Sequence, residues 1–134
     1  MKKLAAVGRI LFALPFGIMG LNHFLLKDLL LAKLTTYIPG GGFTFLLVGA
    51  MLVIASVSII LNKYVTIACY WLAGLLFLFI VTIYIPQLYT DNWQIALIQI
   101  VTHSSLLGAT IMIAYYLDML NKGKIVEEKD KEIK

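Results

Sequence analysis

Apolar residues run along this chain in four long blocks, and the charged residues fall almost entirely between them. No Asp, Glu, Lys or Arg occurs between Leu34 and Asn62, between Tyr64 and Thr90, or between Asn92 and Leu117. An uninterrupted apolar stretch of about 18 or more residues reads as a membrane span, because about 20 helical residues cross about 30 Å of hydrocarbon. The blocks predict spans at about residues 4–26, 43–61, 64–85 and 93–117. Residues 27–42 form a loop, since Lys27, Asp28 and Lys33 break the apolar pattern and Pro39-Gly40-Gly41-Gly42 stops a helix from continuing. Asn62-Lys63 reads as a tight turn between antiparallel neighbours. The third span ends near Pro86, and a short loop over 87–92 leads to the fourth. Residues 121–134 alternate Lys with Glu or Asp and read as a solvated, partly disordered tail. The expected fold is all-α: an antiparallel four-helix membrane bundle occupying residues 1–120, followed by the charged tail.

Composition strengthens this reading. The 134 residues are 61% hydrophobic and 13% charged, against roughly 45–50% and about 25% in soluble globular proteins, so too little charge remains to cover a water-facing surface. Lys2 and Lys3 ahead of an apolar stretch raise the question of a signal peptide. The stretch is longer than a usual signal core and no A-x-A-like site follows it, so a retained first helix is expected.

Charge placement sets an expected orientation. With the N-terminus inside, the inner side carries nine of the Lys and Arg residues and the outer side carries only Lys27 and Lys33. The positive-inside rule then places both termini in the cytoplasm, with aromatics at both interfaces: Tyr37, Phe43, Tyr89 and Trp93 outside, Tyr64, Tyr115 and Tyr116 inside. The net charge of +4 comes from cations at span ends rather than from a patch with interleaved aromatics, which argues against a nucleic-acid partner. Cys69 is alone within an apolar block, so redox chemistry would need a bound cofactor or a partner protein.

In lipid a helix hides its small and polar residues and shows Leu and Ile to the acyl chains. At 100° per residue, Ala5, Arg9, Ala13, Phe16, Gly17, Gly20 and His23 share one face of the first span, and Val7, Leu11, Leu14, Ile18, Leu21 and Leu25 share the other. The second span carries Gly42, Gly49 and Ser56 at seven-residue spacing. The fourth puts Asn92, Ala96, Gln99, His103, Thr110 and Ala114 on one face. Ser104 and Gly108 form a second small stripe, which suggests packing on that side too. A closed bundle predicts that the polar faces of the first and fourth helices meet.

His103 lies about 15 Å along the helix from Trp93, near the bilayer midplane, with Gln99 one turn earlier on the same face. An ionisable group there fits a proton relay, a quinone hydrogen-bond partner or a metal ligand. Equally, a neutral histidine pinned to a neighbouring helix fixes packing for about 1 kcal/mol. Two histidines without a buried carboxylate make metal the weakest of these readings, and nothing in the chain fits haem. Arg9 near the inner interface either snorkels to headgroups or binds an anionic headgroup or polar ring. Asn22 and His23 are either interfacial or roof an outward-facing pocket. Tyr70 and Tyr84 share a face of the third span, where aromatic packing is the default. No set of residues forms a complete catalytic site.

Arg9 on a short first helix, Gly20-Leu21-Asn22-His23-Phe24 at its outer end, Ile38-Pro39-Gly40-Gly41 in the loop, the turn at Asn62-Lys63 and Pro86 closing the third span together resemble the DoxX family of small bacterial membrane proteins. The resemblance covers about residues 3–117. It implies a four-helix bundle in the bacterial plasma membrane, in a group whose DoxD relatives serve as the membrane subunit of a thiosulfate:quinone oxidoreductase and whose other members associate with thiol and superoxide enzymes. The chain lacks the fused soluble portions and cysteines that would carry sulfur chemistry. The sequence therefore supports a non-catalytic membrane subunit or anchor of a redox or envelope-stress complex, in contact with quinone through His103, Gln99 and Arg9 or through Asn22 and His23. Partners on this reading are the lipid bilayer, membrane or soluble redox proteins, and a second copy of the chain. Two other readings stand beside it: an assembly protein that binds other membrane helices, and a carrier of a small lipophilic solute.

Overall fold

A computed structural model describes residues 2–26, 28 and 41–132. Four helices among them are long and apolar enough to cross a membrane, and the described chain is all-helical. The first, α1, spans Lys2–Leu25, and α2 spans Gly41–Ile60. Helix α3 spans Val65–Phe79 and passes directly into a π-helical turn, Ile80–Tyr84, and a last α-turn, Ile85–Gln87. The fourth, α4, spans Trp93–Glu132. Most of the expected 27–42 loop, with Lys27, Lys33, Tyr37 and Pro39, lies outside the described residues.

The molecule is built as two antiparallel hairpins. Helix α1 packs along α2, α3 packs along α4, and the pairs are joined through α2 and α3. Among the described residues the backbones of α1 and α4 make no contact. The four-helix architecture is as expected, but the first and fourth helices do not pack backbone against backbone as a meeting of their polar stripes would require. A small-residue stripe shows that a face is packed, but not which helix packs on it.

In the α1–α2 hairpin the small residues set the spacing. A Cβ added to Gly20 would lie 2.8 Å from the Gly49 carbonyl oxygen and 2.7 Å from a Val53 methyl. One on Gly49 would lie 2.6 Å from the His23 Cβ, and one on Gly17 would lie 2.7 Å from the Ser56 hydroxyl oxygen. Ser56 donates that hydroxyl to the Ala13 carbonyl at 2.8 Å, a buried bond between helices. The whole set Val7, Leu11, Leu14, Ile18, Leu21 and Leu25 is exposed, as a lipid-facing stripe should be, while Ala13, Phe16, Gly20 and His23 are buried.

Helix α2 ends at the turn to α3 with its two terminal bonds in a Schellman arrangement. The Asn62 N–H donates to the Ile59 carbonyl and the Lys63 N–H to the Ser58 carbonyl, with Asn62 left-handed at φ 57°. Asn is the residue after Gly that takes this conformation most readily. Tyr64 is also left-handed at φ 56°, which for a bulky residue costs roughly 1–2 kcal/mol. Cys69, Leu72, Leu76, Leu52 and Ile59 form the seam between the hairpins.

Two further expectations are corrected. Helix α4 does not stop near Leu117 but continues through Glu132. Its Lys- and Glu-rich end consists of good helix formers, and Asp118 pairs with Lys122 at 2.9 Å one turn later. Ser104 and Gly108 are exposed, and a Cβ on Gly108 would meet nothing within 4 Å. That side of α4 is unpacked within one copy of the chain.

Candidate functional site

Because α1 and α4 stand apart, a cavity of about 830 Å³ opens between the hairpins at the end away from the Asn62 turn. Its floor comes from α2 and α3, including Phe45, Val48, Leu52, Leu76 and Phe79. One wall is α1, with Phe12, Pro15, Phe16, Met19 and His23; the other is α4, with Ile95, Gln99, His103 and Leu106. The lining is mostly apolar with a few polar groups (Thr44, Thr82, Tyr84, Gln87 and Gln99 beside the two histidines). A volume of about 300–1,000 Å³ with this kind of lining is what sites for small lipophilic molecules share.

The sequence-level candidates divide between this cavity and elsewhere. His103, Gln99 and His23 all line it. Arg9 does not; it lies toward the opposite end of α1, about 21 Å along the helix from His23 at a helical rise. Its Nε is buried without a hydrogen-bond partner among the described residues. The cluster of Arg9, Gln99 and His103 expected from a closed bundle is thus not assembled. Asn22 is half-buried beside His23 but does not line the cavity. The neighbour of His23 is Phe45 on α2, whose ring stacks on it with centroids 4.3 Å apart. This stacking, together with the close approach of Gly49, buries the His23 side chain to 8% exposure.

The partner of His103 is one the sequence reading left in ordinary aromatic packing. Tyr84 places its hydroxyl oxygen 3.2 Å from Nε2 of His103, with ring centroids 4.6 Å apart, and Phe79 closes edge-on at 6.4 Å. The π-helical turn explains why Tyr84 reaches inward. Pro86 has no N–H, and its ring crowds the carbonyl four residues earlier in a regular helix; the wider turn before it relieves that crowding. Ile85 donates its N–H to the Ile80 carbonyl, five residues back, and the Thr82 hydroxyl bonds the Leu78 carbonyl at 2.7 Å. The additional residue in the turn takes Tyr84 off the face of Tyr70, which stays exposed. Pro86 was the signal available in the sequence, since π-turns of this kind gather at functional sites.

Both histidines are fixed in the same way. Nδ1 of His23 lies 2.7 Å from the Met19 carbonyl oxygen, and Nδ1 of His103 lies 2.8 Å from the Gln99 carbonyl oxygen. A carbonyl can only accept, so each Nδ1 carries a proton, and in a neutral ring Nε2 then presents a lone pair. At His103 that lone pair accepts the Tyr84 hydroxyl. At His23, which lines the cavity, Nε2 has no partner among the described residues.

No family model matches the chain, and neither a curated protein nor a solved structure matches it.

Proposed function

We propose that this is a membrane protein that takes a lipophilic ring compound of the quinone class from the bilayer into the cleft between its hairpins, as a non-catalytic subunit or anchor of a redox complex. The observation that carries this reading is the cavity itself. It has apolar walls, a separation of α1 from α4 that leaves it open toward the acyl chains, and polar groups gathered around His103 and His23. Lateral entry suits a ligand that is already dissolved in hydrocarbon. The apolar wall receives its tail, and the polar groups around His103, Tyr84, Gln99 and His23 surround its ring.

The same proposal places both termini in the cytoplasm, on the distribution of Lys and Arg, and takes the bacterial plasma membrane from the resemblance to DoxX proteins. The cavity then lies in the outer half of the bilayer. That resemblance also agrees with a partner-dependent role.

The test is to purify the protein in mild detergent from its native membrane, extract it with solvent and quantify quinone by mass spectrometry, with His103→Leu in parallel. Near-stoichiometric quinone that is lost in the variant supports the reading. A stable wild-type protein that carries none, and takes up none when quinone is added, overturns it and leaves the helix-assembly role ahead.

A further inference from the structure

The two histidines do not offer the same chemistry to a ligand, and the difference selects a redox state. We infer that the cleft prefers the hydroxyl-bearing, reduced form of its ligand (a hydroquinone or comparable lipophilic phenol) to the carbonyl-bearing, oxidised form, with His23 as the discriminating residue. The inference rests on the proposed quinone-class reading and deepens it.

The argument is one of donors and acceptors. His23 is more than nine-tenths buried, and its Nδ1–H is committed to the Met19 carbonyl. The residue lines the cavity, and its Nε2, an acceptor in the neutral ring, has no hydrogen-bond donor among the described residues. The Phe45 ring stacked on the imidazole and the Gly49 backbone behind it hold the ring in place. A quinone carbonyl placed against this nitrogen sets lone pair against lone pair, whereas a hydroquinone hydroxyl donates to it. On the opposite side the Tyr84 and Thr82 oxygens, having donated to His103 and to the Leu78 carbonyl, also offer lone pairs, while the Gln99 and Gln87 amides can donate or accept. The α1 wall therefore offers a ligand an acceptor without an alternative donor on His23, and that polarity asks for a donor. Removing a partner from a buried polar group costs more than a neutral hydrogen bond gains, so the discrimination is expected at roughly fivefold to tenfold in Kd.

The experiment uses the full-length protein in lipid nanodiscs. It is titrated calorimetrically and anaerobically with a short-chain hydroquinone and with the matching benzoquinone. Wild type should bind the hydroquinone roughly fivefold to tenfold tighter. His23→Phe keeps the stack on Phe45 and removes the acceptor; it should weaken hydroquinone binding more than quinone binding and so narrow the preference. Equal binding of both forms by wild type, or tighter binding of the quinone, overturns the inference and leaves the cleft reading intact. Binding of neither form overturns both. A wild-type measurement guards against an unstable variant: ¹⁵N spectra of the histidine rings should show the His23 Nε2 signal moving on addition of hydroquinone and not of quinone. A signal that ignores both while the ligand binds refutes the role of His23.

Discussion

Tyr84 donates its hydroxyl to Nε2 of His103 across the junction of the π-helical turn and α4, at 3.2 Å. The bond exists because Pro86 widens the helix just before itself, and because Gln99 holds the other ring nitrogen through its own carbonyl. It joins the two helices of the second hairpin at the wall of the cavity.

A double-mutant cycle over Tyr84→Phe and His103→Leu should therefore give a coupling energy of about 0.6–1.7 kcal/mol in detergent unfolding, the range of side-chain hydrogen bonds between membrane helices. A coupling indistinguishable from zero would show that the two rings are merely neighbours.

The glycines separate into two classes with opposite expected signs. Gly20→Ala places a methyl against the Gly49 carbonyl and Val53, and overpacking of this kind costs about 1–3 kcal/mol. Gly108→Ala meets nothing within 4 Å, and the gain in helix propensity should make it neutral or stabilising by up to about 1 kcal/mol. Thermal unfolding of the two variants side by side checks the contrast.

Asn62 should tolerate Gly and resist a β-branched residue. Asn62→Gly keeps the left-handed turn at no steric cost, whereas Asn62→Val should cost roughly 1–2 kcal/mol through its φ of 57°. If Val proves as stable as Gly by denaturant unfolding, the turn is not held in this conformation.

Orientation can be read by cysteine labelling, since Cys69 is fully buried and should stay silent toward a membrane-impermeant maleimide. In a Cys69→Ser background, Asp91→Cys should label on intact spheroplasts, and Lys63→Cys only after the membrane is opened. The reverse pattern would invert the proposed topology and move the cavity to the cytoplasmic half.

Much of this arrangement was legible in the chain before any coordinates. On α1 the expected exposed side, Leu11 and Ile18 among it, is exposed, and Ala13, Phe16, Gly20 and His23 of the expected inner side are buried, with Arg9 and Gly17 half-buried. Gly49 and Ser56 likewise lie where a close-packing stripe belongs. What escaped had physical reasons. Helical periodicity assumes a constant turn, so it placed Tyr84 with Tyr70 until the π-turn shifted it. Stripes on α1 and α4 carry no address, so they could not show that each packs on its own hairpin partner and leaves a cleft. Tautomers are invisible in sequence, because they depend on where the Met19 and Gln99 carbonyls point.

The hairpins are joined on one side through the short reversal at Asn62 and Lys63, while the histidine walls stand near the opposite end. At a helical rise the lever between them is about 30 Å long, and a swing of about 5° at the reversal shifts the far end by about 2.6 Å over that length. That is close to one hydrogen-bond length. The buried packing of Leu52, Leu72 and Leu76 between α2 and α3 therefore sets the distance between the His23 and His103 walls.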